Sequence, residues 1–194
     1  MVDIELDFAH SYEIEELPDL PGTGRLNVPL LYFPRPTTRP ERDGLWLRIG
    51  PATGKPWVGV FGFGYQSPPA ISRVVGSQDQ NRVCVVSRGT AYIVEADNPE
   101  IWEELPVMPV LDIRQIPNHQ LLVFADFTRL IAYGRDGLVW KSSRLCSDDL
   151  TIHEVTDNSI DVVGYDPADS SGKVSFAVDI RTGRSLSPPL FPGR

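Results

Sequence analysis

Pairs of short apolar runs joined by turn residues recur at nearly constant steps along the chain, and this spacing constrains the fold more than any other feature. The first runs of the pairs begin at Leu45, Val83, Leu121 and Ile160, which are 38, 38 and 39 residues apart. The turn at 134–137 reads Gly-Arg-Asp-Gly between apolar runs, and an Asp-Gly turn in this setting is a strong hairpin signal. A constant step carried by matched hairpins predicts an internal repeat of strand units.

Shorter runs flank these hairpins in a repeating order. A candidate innermost strand precedes the second, third and fourth hairpins: ISRVVG at 71–76, LDIRQI at 111–116 and IHEVT at 152–156. An acidic turn followed by a short outer run comes after them, at 97–102, 135–140 and 179–184. Four antiparallel strands, with an Asp-containing turn before the last, are typical of one blade of a β-propeller.

Two of these turns, AYGRDGLVWKS at 132–142 and FAVDIRTGRSL at 176–186, resemble the turn between the last two strands of quinoprotein-type propeller repeats. The resemblance covers residues 45–186 and implies a fold, while it transfers no functional residue. We therefore predict an all-β protein of about four repeated four-stranded antiparallel units, propeller-like, rich in strand and poor in helix. A compact ring, an open arc completed by a second chain and a β-sandwich are the alternatives, and an arc would favour a homodimer.

Charge divides the chain into a short acidic arm and a nearly neutral body. Residues 1–20 hold seven of the 26 acidic side chains and no Lys or Arg, so the remainder is close to neutral despite a total charge of −8. We predict an N-terminal arm over residues 1–24 and a single all-β repeat domain over 25–194. A neutral body lacks the basic stripe that nucleic acid or an anionic membrane requires, so neither is an expected partner. With no signal-peptide pattern at the start, a cytoplasmic location is expected.

The residues that usually carry chemistry are scattered. His10, His119 and His153 lie in unrelated contexts, and no pair has the spacing of metal ligands. Cys84 lies among valines in an apolar run, which predicts a buried thiol, and with Cys146 far away we expect both thiols to be free. The glycines of WVGVFGFGYQ lack the spacing of a dinucleotide-binding loop. We expect no cofactor, no metal and no catalytic residue. If the protein is an enzyme instead, His153 is the best candidate for acid-base catalysis.

Aromatic side chains alternate along one predicted strand face, at Trp57, Phe61, Phe63 and Tyr65. Packing inside the β core is the favoured interpretation, because aromatic rings supply much of the buried area in such cores. If these rings are exposed instead, they are the kind of side chain that protein interfaces enrich. They are therefore candidate binding residues.

A second candidate surface is the loop PRPTTRPERDG at 34–44, which carries Arg35, Arg39 and Arg42. Its prolines reduce the entropy lost on docking, and planar guanidinium groups suit carboxylates on a partner. The predicted function is a non-catalytic binding or protein-interaction domain whose partner is another protein or a second copy of the chain. The alternative is a small-molecule or carbohydrate-acting enzyme with a cleft at one end of the β units.

Replacing Arg35, Arg39 and Arg42 together with Ala tests the loop. If the loop is a binding surface, partner affinity falls while the melting temperature hardly changes, because exposed arginines contribute little to stability. Calorimetry of unfolding beside a binding measurement checks both. A loss of stability with binding retained would instead identify the loop as an intramolecular clasp on the acidic residues 1–20.

Overall fold

The computed structural model of the chain describes residues 2–17, 27–35, 43–65 and 70–186, and it confirms the all-β class. A single short 3₁₀ turn, Pro117–His119, accompanies the strands of the described residues. The sixteen strands are β1 Asp3–Glu5, β2 Tyr12–Glu16, β3 Leu30–Phe33, β4 Gly44–Pro51, β5 Trp57–Gly62, β6 Arg73–Gly76, β7 Arg82–Ser87, β8 Thr90–Glu95, β9 Trp102–Glu104, β10 Asp112–Ile116, β11 Leu121–Ala125, β12 Leu130–Gly134, β13 Gly137–Lys141, β14 Asp148–Val155, β15 Ser159–Tyr165 and β16 Lys173–Asp179.

The strands form four sheets, two in each of two compact units. Unit 1 holds the described residues up to 65 together with 71–108, and unit 2 holds those from 109 onward together with Ala70. In unit 1, sheet I has the order β2-β4-β5-β3 and sheet II the order β1-β6-β7-β8-β9. In unit 2, sheet III has the order β10-β11-β12-β13 and sheet IV the order β14-β15-β16. Each sheet is built around one of the four predicted hairpins.

Segments before the first hairpin complete the sheets of unit 1. β1 pairs in parallel with β6, so that Ile4 lies beside Val74, and β2 pairs antiparallel with β4, so that Ile14 lies beside Ile49. β3 adds a second parallel pairing, beside β5. The described part of the acidic segment is thus paired into both sheets rather than left as a solvated extension.

The predicted outer strand at 179–184 is absent from sheet IV. Asp179 instead closes a turn: its carboxylate accepts hydrogen bonds from the backbone and hydroxyl of Thr182, and its N–H donates to the carbonyl of Arg184. The chain rejoins the sheet at a single bridge, Val178 with Ser185. An Asp side chain that satisfies nearby backbone N–H groups favours a turn over a strand.

Each unit has a core between its two sheets. In unit 1, Phe33, Trp57 and Phe61 of sheet I pack with Val85 and Tyr92 of sheet II. The core of unit 2 joins sheets III and IV and includes Val123, Ala132, Trp140, Ile160 and Phe176. The two cores differ in composition, since aromatic side chains form a larger share of the first core than of the second.

Buried hydrogen bonds tie the paired sheets together. Trp57 donates its indole N–H to the carbonyl of Ala96 over 2.8 Å, and Trp140 donates to the carbonyl of Ile180 over 3.0 Å. In unit 2 the Asp112 carboxylate also accepts the N–H of Ile152 over 3.1 Å. These bonds span 39, 40 and 40 residues, which is close to the step of 38 or 39 residues between the hairpins.

Gly59 of β5 lies where no side chain fits. A Cβ at this position would approach ring atoms of Phe61 and Trp57 at 2.7 and 2.9 Å, whereas a Cβ at Gly50 of β4 would meet nothing closer than Glu13 at 4.0 Å. We expect Gly59→Ala to lower the free energy of unfolding by about 1–3 kcal/mol through overpacking, with Gly50→Ala within about 0.5 kcal/mol of the parent. Urea unfolding followed by tryptophan fluorescence measures both. Equal effects of the two substitutions would contradict the packing described for β5.

Candidate functional site

Arg35, the described member of the arginine loop, lies in a fixed position after β3. Its guanidinium donates to the carbonyl of Pro99 over 3.0 Å and to Glu100 Oε1 over 2.9 Å, and it lies 5.0 Å from the centre of the Phe33 ring. Its carboxylate partner therefore belongs to the β8–β9 turn and not to the acidic N-terminal residues. Arg39 and Arg42 lie outside the described residues.

The four alternating aromatic residues do not form one exposed face. Trp57 and Phe61 are buried, and Phe61 stacks on Phe33 with ring centres 4.8 Å apart. Phe63 is half-buried beneath the guanidinium of Arg88, at 4.0 Å, and Tyr65 is 38% exposed. β5 is an interior strand of sheet I with every residue buried, so Trp57 and Phe61 belong to the core, whereas Phe63 and Tyr65 follow the end of the strand.

A groove of about 220 Å³ opens on sheet II. Cross-strand pairing assembles it, because Arg82 lies opposite Glu95 and Ile93 lies opposite Glu103, and opposite residues of antiparallel strands share a face. No motif in the sequence marks these positions, and only the register of β7, β8 and β9 brings them together. The lining residues are Arg82, Ile93, Glu95, Ile101, Trp102 and Glu103.

The charged groups of the groove have different roles. Arg82 donates from Nε and Nη2 to the same oxygen of Glu95, at 3.3 and 2.9 Å, which holds this pair in place as one wall. Glu103 is exposed, and Ile101 is 47% exposed at the rim. Residues 95–104 contain five acidic side chains and no Lys or Arg, and two of these acids, Glu95 and Glu103, line the groove.

The histidines are separate from this groove. His10 Nδ1 lies 3.1 Å from the carbonyl of Phe8, His119 Nε2 lies 2.8 Å from that of Asp157, and His153 is exposed on β14. Within the described ranges, no three His, Cys, Asp or Glu side chains come together as a metal-ligand set. The described part of the chain also contains no helix long and apolar enough to cross a membrane.

Both thiols are free and Cys84 is buried, as the sequence predicts, and the structure shows that Cys146 is buried as well. Burial raises the pKa of Cys146 to about 11. Burial also raises the pKa of Cys84, and the negative charge of Glu103 adds a smaller increase. Both thiols therefore stay protonated near neutral pH, which makes them core side chains rather than nucleophiles.

Comparison with known proteins identifies no family. No protein-family model matches the sequence, and no curated protein matches it. Five solved chains match, among them one from an assembly described as S. cerevisiae Dbp5 bound to Nup159, Gle1, IP6 and ADP. That match has a TM-score of 0.41 and 14% identity, and it covers 98% of this chain and 54% of the other. This chain therefore spans about half the length of the solved chain that it matches.

The buried thiols predict a specific pattern of reactivity. We expect the folded protein to leave both cysteines unmodified by Ellman's reagent at pH 8, because a raised pKa keeps each thiol in its unreactive protonated form. Unfolding in guanidinium chloride should then release both thiols, and Cys146→Ala should release one. Rapid modification of Cys84 in the folded parent would contradict its place in the core.

Proposed function

We propose that this protein is a non-catalytic binding module for another protein, and that the partner docks on the groove and its rim. The observation that carries the proposal is Ile101, which is 47% exposed at the mouth of a groove otherwise edged by charged side chains. An apolar centre within a polar rim is the usual anatomy of a protein interface.

The contacts of this surface support the proposal because they order the surface before a partner binds. Trp102 packs edge-on against Phe33 with ring centres 5.5 Å apart, which anchors β9 to the core of unit 1. Arg35 stabilises the turn before β9 by donating hydrogen bonds to Pro99 and Glu100. A surface that is already ordered loses less conformational entropy on binding.

The size of the groove favours a protein partner over the enzyme alternative. Its volume of about 220 Å³ is below the roughly 300–1,000 Å³ typical of small-molecule sites. Of its two carboxylates, Glu95 is already engaged by Arg82. An open shallow groove of this kind suits a side chain presented by a larger surface.

We also propose that the four sheets are copies of one propeller-like unit. The near-constant hairpin step supports this, and so do the hydrogen bonds between sheets that span 39 and 40 residues. A cytoplasmic location remains part of the proposal, since free thiols fit a reducing compartment.

Site-specific photo-cross-linking tests where the partner docks. Replacing Ile101 with the photoreactive p-benzoylphenylalanine and irradiating cells that contain the full chain should give one discrete protein adduct, because Ile101 lies at the centre of the proposed contact. The control places the same group at Leu138, an exposed apolar residue of β13 in unit 2 that is 59% accessible. Adducts only from position 138, or from neither position, would refute the proposed docking surface.

A further inference from the structure

The charges of the groove decide which partner chemistry fits it. Arg82 is the cation among the residues that line the groove, and its guanidinium donates from Nε and from Nη2 to Glu95. The carboxylate of Glu103 is the remaining charge, so the groove carries a net negative charge beside two isoleucines. An acidic partner would have to approach Glu103 directly or separate Arg82 from Glu95.

Separating that pair is unfavourable. The side chain of Glu95 is 19% exposed, so removal of Arg82 would leave a largely buried carboxylate without its partner. Loss of one member of such a pair costs much more than the pair itself contributes. Arg35, the other described arginine of this rim, is likewise held by Glu100. The available electrostatic attraction at this surface is therefore toward cations.

We propose that the groove binds a lysine or arginine side chain from an extended, otherwise apolar segment of the partner protein. This inference rests on the proposed function and specifies its partner. Ile93 and Ile101 line the space that the methylene stem would occupy, and Glu103 provides the carboxylate for the charged head. Long basic side chains bind in this divided way, with the stem on apolar surface and the head in a charge-assisted hydrogen bond.

The chain provides a matched control for the role of Glu103. Glu103 and Glu104 are neighbours on β9, both exposed and both acidic. Glu103 lies opposite Ile93 on the groove face, whereas Glu104 lies opposite Tyr92, whose ring belongs to the core side of sheet II. Glu103→Gln and Glu104→Gln therefore each remove one negative charge. The first removes it from the groove face of sheet II and the second from the opposite face.

Selection from a random phage-displayed peptide library, with the full chain as the target, tests the inference. We expect enrichment of peptides with a Lys or Arg flanked by apolar residues, and fluorescence anisotropy then measures the affinity of the most enriched peptide. Glu103→Gln should weaken it by about tenfold and Glu104→Gln by less than about twofold, because only Glu103 forms the charge-assisted contact. Added salt should weaken binding to the parent.

Other outcomes overturn the inference. Selected peptides without basic residues, or equal loss of affinity in both variants, would show that the groove does not select a cation. If position 101 still cross-links to a protein in that case, the proposed function stands and only the partner chemistry is wrong. If position 101 forms no adduct and no peptide is enriched, both proposals fall.

Discussion

The buried indole N–H of Trp57 sets the arrangement of unit 1. A buried donor without an acceptor is costly, and in this unit the acceptor is the main-chain carbonyl of Ala96, immediately after β8. That bond fixes the start of β5 in sheet I against the end of β8 in sheet II. Trp140 imposes the same constraint in unit 2 by binding the carbonyl of Ile180, which immediately follows β16. In both units a tryptophan of one sheet holds the end of a hairpin in the next.

The hydrogen bond from Trp57 to the carbonyl of Ala96 also determines where the candidate site lies. Ala96 donates its N–H to the carbonyl of Asn81, and Glu95 donates to the carbonyl of Ile101, so the turn that begins here is held from both sides. The turn places Ile101 at the rim and leads directly into β9, which carries Glu103 to the groove. The shape of the proposed docking surface thus follows from the packing of the core beneath it, and its backbone is already hydrogen-bonded.

The placement of acidic side chains makes the net charge of this surface negative. Acids near the N-terminus have basic neighbours, since Glu15 lies 3.6 Å from Arg48 and Asp3 lies 3.4 Å from Arg73. In the 95–104 stretch Arg82 pairs with Glu95 and Arg35 with Glu100, so here too the arginines come from other parts of the chain. The exposed Arg35–Glu100 pair adds little stability, but both pairs engage the positive charge that an acidic partner would need. Glu103 is exposed in the groove, where we propose that it meets a basic side chain.

The sequence by itself determined the class and the hairpins, because period-two alternation and Gly-containing turns are local properties of the chain. The hairpins at Leu45, Val83, Leu121 and Ile160 therefore appeared in the structure close to where they were predicted. The alternation favoured core packing of the aromatic rings, but it could not predict that every residue of β5 is buried, since burial depends on what packs against the strand. Tertiary structure decided that Trp57 and Phe61 are buried while Tyr65 is exposed.

The candidate site depended on tertiary structure more than the burial of β5 did. The partner of Arg35 lies 65 residues away, and the groove exists only because the register of three strands places Glu95, Ile93 and Glu103 on one face. A slip of one residue in that register would turn the opposite side chains toward the groove. Local patterns determine strands and turns, whereas the chemistry of a surface depends on which distant residues packing brings together.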